Sequence, residues 1–232
     1  MRVYAYRMFA YRPFRGRRLG IFSVLLISVA LLWTERAFAA GPRVLLMRGW
    51  FNVFSTGMDD LGDKLRAKGI NEHVAAHTYW DTALAEIVRE RAAGDTAPIV
   101  LIGHSQGANN SIVLAHSLNA RHIPVDLLIT LAPFLQDVVP SNVVRAVNYY
   151  QSPGWGSPLV PGPGFHGKLS NMDLSSDLLM FHITIDKTSK IHDAIMREIA
   201  DLPQLKAPPP GKPAVARPRG PEGPLGYARI TR

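Results

Sequence analysis

The residues best placed to do chemistry together are Gly103-His104-Ser105-Gln106-Gly107. A serine with a glycine two positions away on each side is the pattern of a strand-to-helix elbow. In such an elbow the serine takes a strained turn at positive φ and projects its hydroxyl above a sheet, while the glycines let the following helix pass close to the strand. A serine there also stands at a helix N-terminus, where free N–H groups and the helix dipole favour developing negative charge. Gly and Ser are common, so the context decides. Ile99-Val100-Leu101-Ile102 reads as a strand buried on both faces, started by Pro98, and Ala108 to Leu118 reads as a helix. The chemistry expected is nucleophilic acyl transfer through Ser105.

A hydroxyl is a poor nucleophile at neutral pH, so a base must take its proton, and an acid usually orients that base. Eight histidines compete for the role. His104 lies inside the elbow, where its side chain points away from the serine. His116 and His122 lie on or after the helix behind it, His73 and His77 belong to an earlier strand, and His166 sits in a Gly/Pro-rich loop. His192 is the expected base, because it follows the last predicted strand after a polar turn. In a parallel sheet the turns after strand C-termini gather on one edge, the edge that carries Ser105. His182, inside that predicted strand, is the main rival. Asp137 is the nearest carboxylate on the same edge and the expected acid, with Asp173, Asp177 and Asp186 as alternatives and a Ser-His dyad as another.

The elements that position these residues follow from periodicity. Strands are expected near residues 43, 73, 99, 126, 144 and 181, the last over Leu178 to Ile185. Helices are expected over Met58 to Lys68, Thr82 to Ala93, from Asn109, and over His192 to Leu202. Ser152 to Gly167, rich in Gly and Pro, is a long surface loop. Strands alternating with helices predict an α/β fold: a three-layer α/β/α sandwich around a mostly parallel sheet of about six strands.

An apolar strand, a Gly-His-Ser-Gln-Gly elbow, a helix and a late His together resemble the α/β-hydrolase superfamily. The elbow is similar to that of bacterial lipases and esterases. The resemblance covers about residues 43 to 202 and implies a reduced form of that fold, its six strands matching the third through eighth of an eight-strand sheet. It also implies an oxyanion hole built from the N–H of Gln106 and an N–H in the loop Arg48-Gly49-Trp50-Phe51, with Trp50 the expected donor. The chain departs from the pattern at the acid. Where lipases of the pancreatic type carry Leu-Asp-Pro, it reads Leu131-Ala132-Pro133, and no carboxylate follows Tyr150 until Asp173.

The formal charge of +8 is concentrated at the ends, since residues 41–205 carry 13 Lys/Arg against 16 Asp/Glu. A mildly acidic body offers no basic face for nucleic acid. With no cysteine, thiol catalysis, disulfides and Cys-based metal sites are excluded. Residues 1–39 join a basic head, an apolar run from Leu19 to Trp33 and the small-residue exit Ala37-Phe38-Ala39, which reads as a secretory signal. The alternative is an uncleaved anchor in contact with the membrane. The body is expected over 42–202, and the Pro-rich basic tail over 203–232 is expected to be disordered. The expected function is therefore an exported serine hydrolase acting on a small-molecule or lipid acyl substrate, an ester or thioester, with no metal or organic cofactor. An acyltransferase using the same residues and an inactive binding protein on the same fold are the alternatives.

Overall fold

Every sheet strand pairs with its neighbours in parallel, so each must return through a crossover, and the helices of those crossovers cover both faces. The computed structural model describes residues 41–50 and 54–206. The elements are β1 (Arg43–Arg48), α1 (Gly57–Ala67), β2 (Glu72–Ala76), α2 (Trp80–Ala92), β3 (Ile99–His104), α3 (Gln106–Asn119), β4 (Leu127–Leu131), β5 (Arg145–Tyr150), β6 (Lys168–Asp173) and α4 (Ser189–Ala200). The sheet order is β2-β1-β3-β4-β5-β6. This is the α/β three-layer sandwich with six parallel strands that the sequence predicts. The signal segment and all of the tail beyond Lys206 lie outside the described residues. The first tail residues, Pro203–Lys206, form a helical turn rather than disordered chain.

Alternation along β1 sets the two cores. Val44 and Leu46 face one side, where Leu61 and Leu65 of α1 and Ile191, Ile195 and Ile199 of α4 pack against them with Val100, Ile102, Leu127 and Ile129. Leu45 and Met47 face the other side, against Ile87 of α2 and Ile112, Ala115 and Leu118 of α3. Fully buried β3 has apolar side chains on both faces, as its sequence requires.

The last strand is where the sequence misleads. Leu178 to Ile185 is a series of turns, closed by Thr184 N–H and Ile185 N–H on the Phe181 carbonyl at 3.0 and 2.9 Å. Leu178 and Leu179 are 83% exposed, and only Met180 and Ile185 of this apolar run reach the core. The sixth strand is instead Lys168–Asp173, a polar edge strand that hydrophobic periodicity cannot reveal. It is held by side-chain polarity: Thr130 Oγ1 donates to Asn148 Oδ1 at 2.8 Å, and Asn148 Nδ2 donates to Asn171 Oδ1 at 2.9 Å. The three residues are in register on adjacent strands. The helix from Ser189 starts three residues before the expected His192, which puts His192 in its buried first turn.

At the elbow, α3 passes so close to the end of β1 that a Cβ on Gly107 would lie 2.2 Å from the Met47 carbonyl oxygen. Gly107→Ala is therefore expected to destabilise the protein by about 2 kcal/mol or more, read as a lower urea or thermal midpoint. An unchanged midpoint would contradict this packing.

Candidate active site

The C-terminal ends of the parallel strands form one edge, and five of the connections leaving it build the site. β3 supplies Ser105, whose φ of 56° is the positive-φ turn the sequence predicts. Its N–H donates to the Leu131 carbonyl at 2.8 Å, and it serves as the N-cap of α3. The Gln106 N–H is the first of that helix and has no carbonyl one turn back to bond. From β1 comes Gly49, so near that a Cβ on it would lie 2.9 Å from Ser105 Cβ. Gly49 N–H is committed to Ser55 Oγ at 2.9 Å, and the next residue, Trp50, lines the cleft.

The connection after β6 brings a histidine to the serine. His182 Nε2 lies 2.9 Å from Ser105 Oγ. Its ring rests against Trp155 and His104, at centroid distances of 4.6 and 5.0 Å. Burial lowers the His182 pKa, which favours the neutral imidazole able to accept a proton. Its Nδ1 is buried and has no hydrogen-bond partner among the described residues.

His192, the expected base, is not at the site. Its Nε2–H donates to the Asp186 carbonyl at 2.5 Å and its Nδ1 accepts from Lys64 Nζ at 2.9 Å, so both ring nitrogens are engaged beneath the sheet edge. Asp137, the expected acid, is not beside either histidine. Its Oδ2 accepts from Asn109 Nδ2 at 3.1 Å, and the same Asn109 receives Phe134 N–H at 2.8 Å on its Oδ1. Asp137 thus ties down the connection that carries Phe134. Asp173 binds Ser175, Asp177 faces Lys190, and Asp186 accepts Gly57 N–H at 2.9 Å. The family's acid position holds Ala132, a buried methyl group 1% exposed.

Periodicity hid His182 because its flanking apolar residues imitate a strand. The rule that the base follows the last strand selects His182 once the last strand is Lys168–Asp173. Sequence reasoning also missed the cleft wall. Trp50, Phe54, Phe134, Trp155 and Ile183 surround Ser105 and His182 in a cleft of about 210 Å³, with no charged side chain among its lining. Among the described residues no group of His, Cys, Asp or Glu could hold a metal ion, and no helix is long and apolar enough to cross a membrane.

No family model matches the chain, and no curated protein matches it. Solved structures to which the chain shows some similarity include a protein described as a hydrolase of the alpha/beta superfamily from Xanthomonas campestris pv. campestris. It is 14% identical, with 68% of this chain and 99% of that chain covered and a TM-score of 0.35. A second, described as a YdeN-like hydrolase from Pectobacterium atrosepticum, is 14% identical, with 76% and 96% covered and a TM-score of 0.39.

Beside the site, Asp186 is fully buried. Burial pushes its carboxyl up to about 6, against the opposing pull of Lys187 and the Gly57 N–H, with Asp60 adding to the rise. An unfolded Asp releases its proton near 3.9, so between those values the native state holds more protons and stability falls as pH rises. Asp186→Asn removes the ionisation while keeping an acceptor for Gly57. Relative to wild type, the variant should match it near pH 4 and gain on the order of 2 kcal/mol by pH 7, measured by urea unfolding at each pH. A difference independent of pH would contradict the raised pKa.

Proposed function

We propose that the chain is an exported serine hydrolase that cleaves an ester or thioester through an acyl-enzyme on Ser105. The observation that carries this reading is the 2.9 Å pairing of Ser105 Oγ with His182 Nε2, made at a positive-φ elbow at the mouth of an apolar cleft. Ser105 Oγ attacks the acyl carbon as His182 Nε2 takes the hydroxyl proton, and the carbonyl oxygen becomes an oxyanion held by the N–H groups of Gln106 and Trp50. Collapse breaks the bond to the leaving group, which receives the proton from His182. Water, deprotonated by the same nitrogen, then attacks the acyl carbon and releases the acid and Ser105.

The lining favours a neutral, apolar acyl group over a charged one, because burying an unpaired charge among Trp50, Phe54, Phe134, Trp155 and Ile183 is costly. Among the described residues no carboxylate supports the His182 imidazolium, which favours leaving groups that depart readily, as in activated esters and thioesters, over amines. The same residues would serve transfer to an alcohol or amine, and product analysis with added acceptors separates transfer from hydrolysis. The missing carboxylate is also what an inactive binding protein on this fold would present, and that reading requires no reaction with a fluorophosphonate.

The test is a fluorophosphonate probe together with p-nitrophenyl ester turnover. Wild type should react with both and Ser105→Ala with neither. His182→Gln should lose turnover by about a thousandfold or more, whereas His192→Gln should remain within a few-fold of wild type once matched for folded protein. Loss at His192 with normal rates at His182 would reject this assignment.

Export rests on the N-terminal segment, which supports a cleaved signal by its basic head, apolar run and Ala37-Phe38-Ala39 exit. Mass spectrometry of the mature protein should find an N-terminus near Ala40. Retention of Met1 in a membrane-bound protein would support the anchor instead.

A further inference from the structure

We infer that His104 is a positioning residue. With Ser55 it forms a buried relay that locks the connection carrying the base to the connection carrying the oxyanion donor. The inference rests on the reading of Ser105 and His182 as nucleophile and base. The relay begins at Gly49 N–H, which donates to Ser55 Oγ at 2.9 Å. Ser55 Oγ lies 2.8 Å from His104 Nδ1, and His104 Nε2 lies 2.8 Å from the His182 carbonyl oxygen. Ser55 and His104 are each 1% exposed.

The two ends fix the direction of every bond. A peptide N–H only donates and a peptide carbonyl only accepts. His104 Nε2 must therefore carry the hydrogen, which in the neutral ring leaves Nδ1 as the acceptor for the Ser55 hydroxyl. Burial, and next the neighbouring His182, lower the His104 pKa to about 4, so the ring keeps this neutral form through the range in which His182 acts.

The position of the relay explains what it would do. Around His182 the chain is a run of turns in which Met180 and Ile185 are buried in the core, Ile183 lines the cleft, and Leu178, Leu179 and Phe181 are exposed. Apolar packing thus anchors this segment two residues before His182 and three after it, but not at His182 itself. The bond from His104 reaches the backbone of His182 itself, and the same ring anchors Ser55, which holds the Gly49 peptide beside Ser105. The elbow's histidine thus couples the base and the oxyanion donor through buried hydrogen bonds at the floor of the cleft, which Ser55 and His104 line. Misplacement of a reacting group by an ångström can cost about a hundredfold in rate.

The test uses the full chain and p-nitrophenyl ester kinetics with fluorophosphonate labelling. His104→Phe removes both bonds and should lower kcat by roughly tenfold to a hundredfold with KM within about twofold of wild type. His104→Gln retains a donor that can reach the His182 carbonyl and should recover most of that loss. Ser55→Ala, a smaller change that serves if His104→Phe does not fold, should lower kcat by about fivefold at unchanged KM. Normal kcat in these variants, even with a lowered melting temperature, would assign the relay a purely structural role and overturn the inference. A rise in KM at constant kcat would overturn it as well. If wild type itself is not labelled, or Ser105→Ala is labelled equally, the nucleophile assignment falls and the relay's role with it. Labelled wild type beside an unaffected His104→Phe overturns the relay alone.

Discussion

The close crossing of α3 over the ends of β1 and β3 is the constraint from which the rest of the site follows. Gly107 lies against the Met47 and Arg48 carbonyls, and Gly103 lies so near the Gly107 peptide that a Cβ would sit 2.3 Å from its oxygen. Only with side chains absent at both positions can the chain turn from strand to helix within one residue. That residue, Ser105, is then forced to a φ of 56°, a strain of about 1–3 kcal/mol for a non-glycine residue. The surroundings hold it there: β3 is buried on both faces and Ser105 N–H is bonded to Leu131. The hydroxyl is consequently presented above the sheet edge at the start of a helix, beside Gly49.

Around this fixed point, irregular connections are anchored by polar side chains that act in place of regular secondary structure. Asn109 receives the N–H groups of Phe134 and Leu135 and so holds one wall of the cleft. Asn171 accepts Leu159 N–H and donates back to the Leu159 carbonyl, holding the far end of the Gly/Pro-rich loop. His104 binds the His182 backbone, and Asp186 binds Gly57. A buried polar group left unmade costs about 1–3 kcal/mol, so each of these bonds specifies one arrangement of its loop. The cleft is apolar on its surface and polar in its supports.

The carboxylates follow the same logic. Asp137 and Asp186 lie in site-bearing connections, yet both bond to groups that shape the backbone rather than to His182. At Ala132 the side chain is a buried methyl group with nothing to offer His182. His182 is instead flanked by Trp155 and His104, with Nδ1 enclosed. Aromatic packing and a backbone bond define its orientation, and burial lowers its basicity.

The sequence by itself determined the parallel α/β architecture, because apolar runs and helical faces are local signals with fixed periods. It also determined the strained elbow at Ser105, because two glycines at that spacing after a buried strand admit few other conformations. It did not determine the last strand. Lys168–Asp173 is polar, and its membership of the sheet depends on Asn171 meeting Asn148 across the strands, a partnership between residues 23 positions apart. Leu178 to Ile185 has strand-like apolar content, but its backbone closes on itself in turns, with Thr184 N–H and Ile185 N–H both on the Phe181 carbonyl. That single exchange puts His182 rather than His192 within hydrogen-bond distance of Ser105. The acid was equally beyond local reading, since a carboxylate's role depends on which donor lies opposite it. Only the tertiary structure could pair Asp137 with Asn109, Asp186 with Gly57, and Ser105 with a histidine 77 residues away.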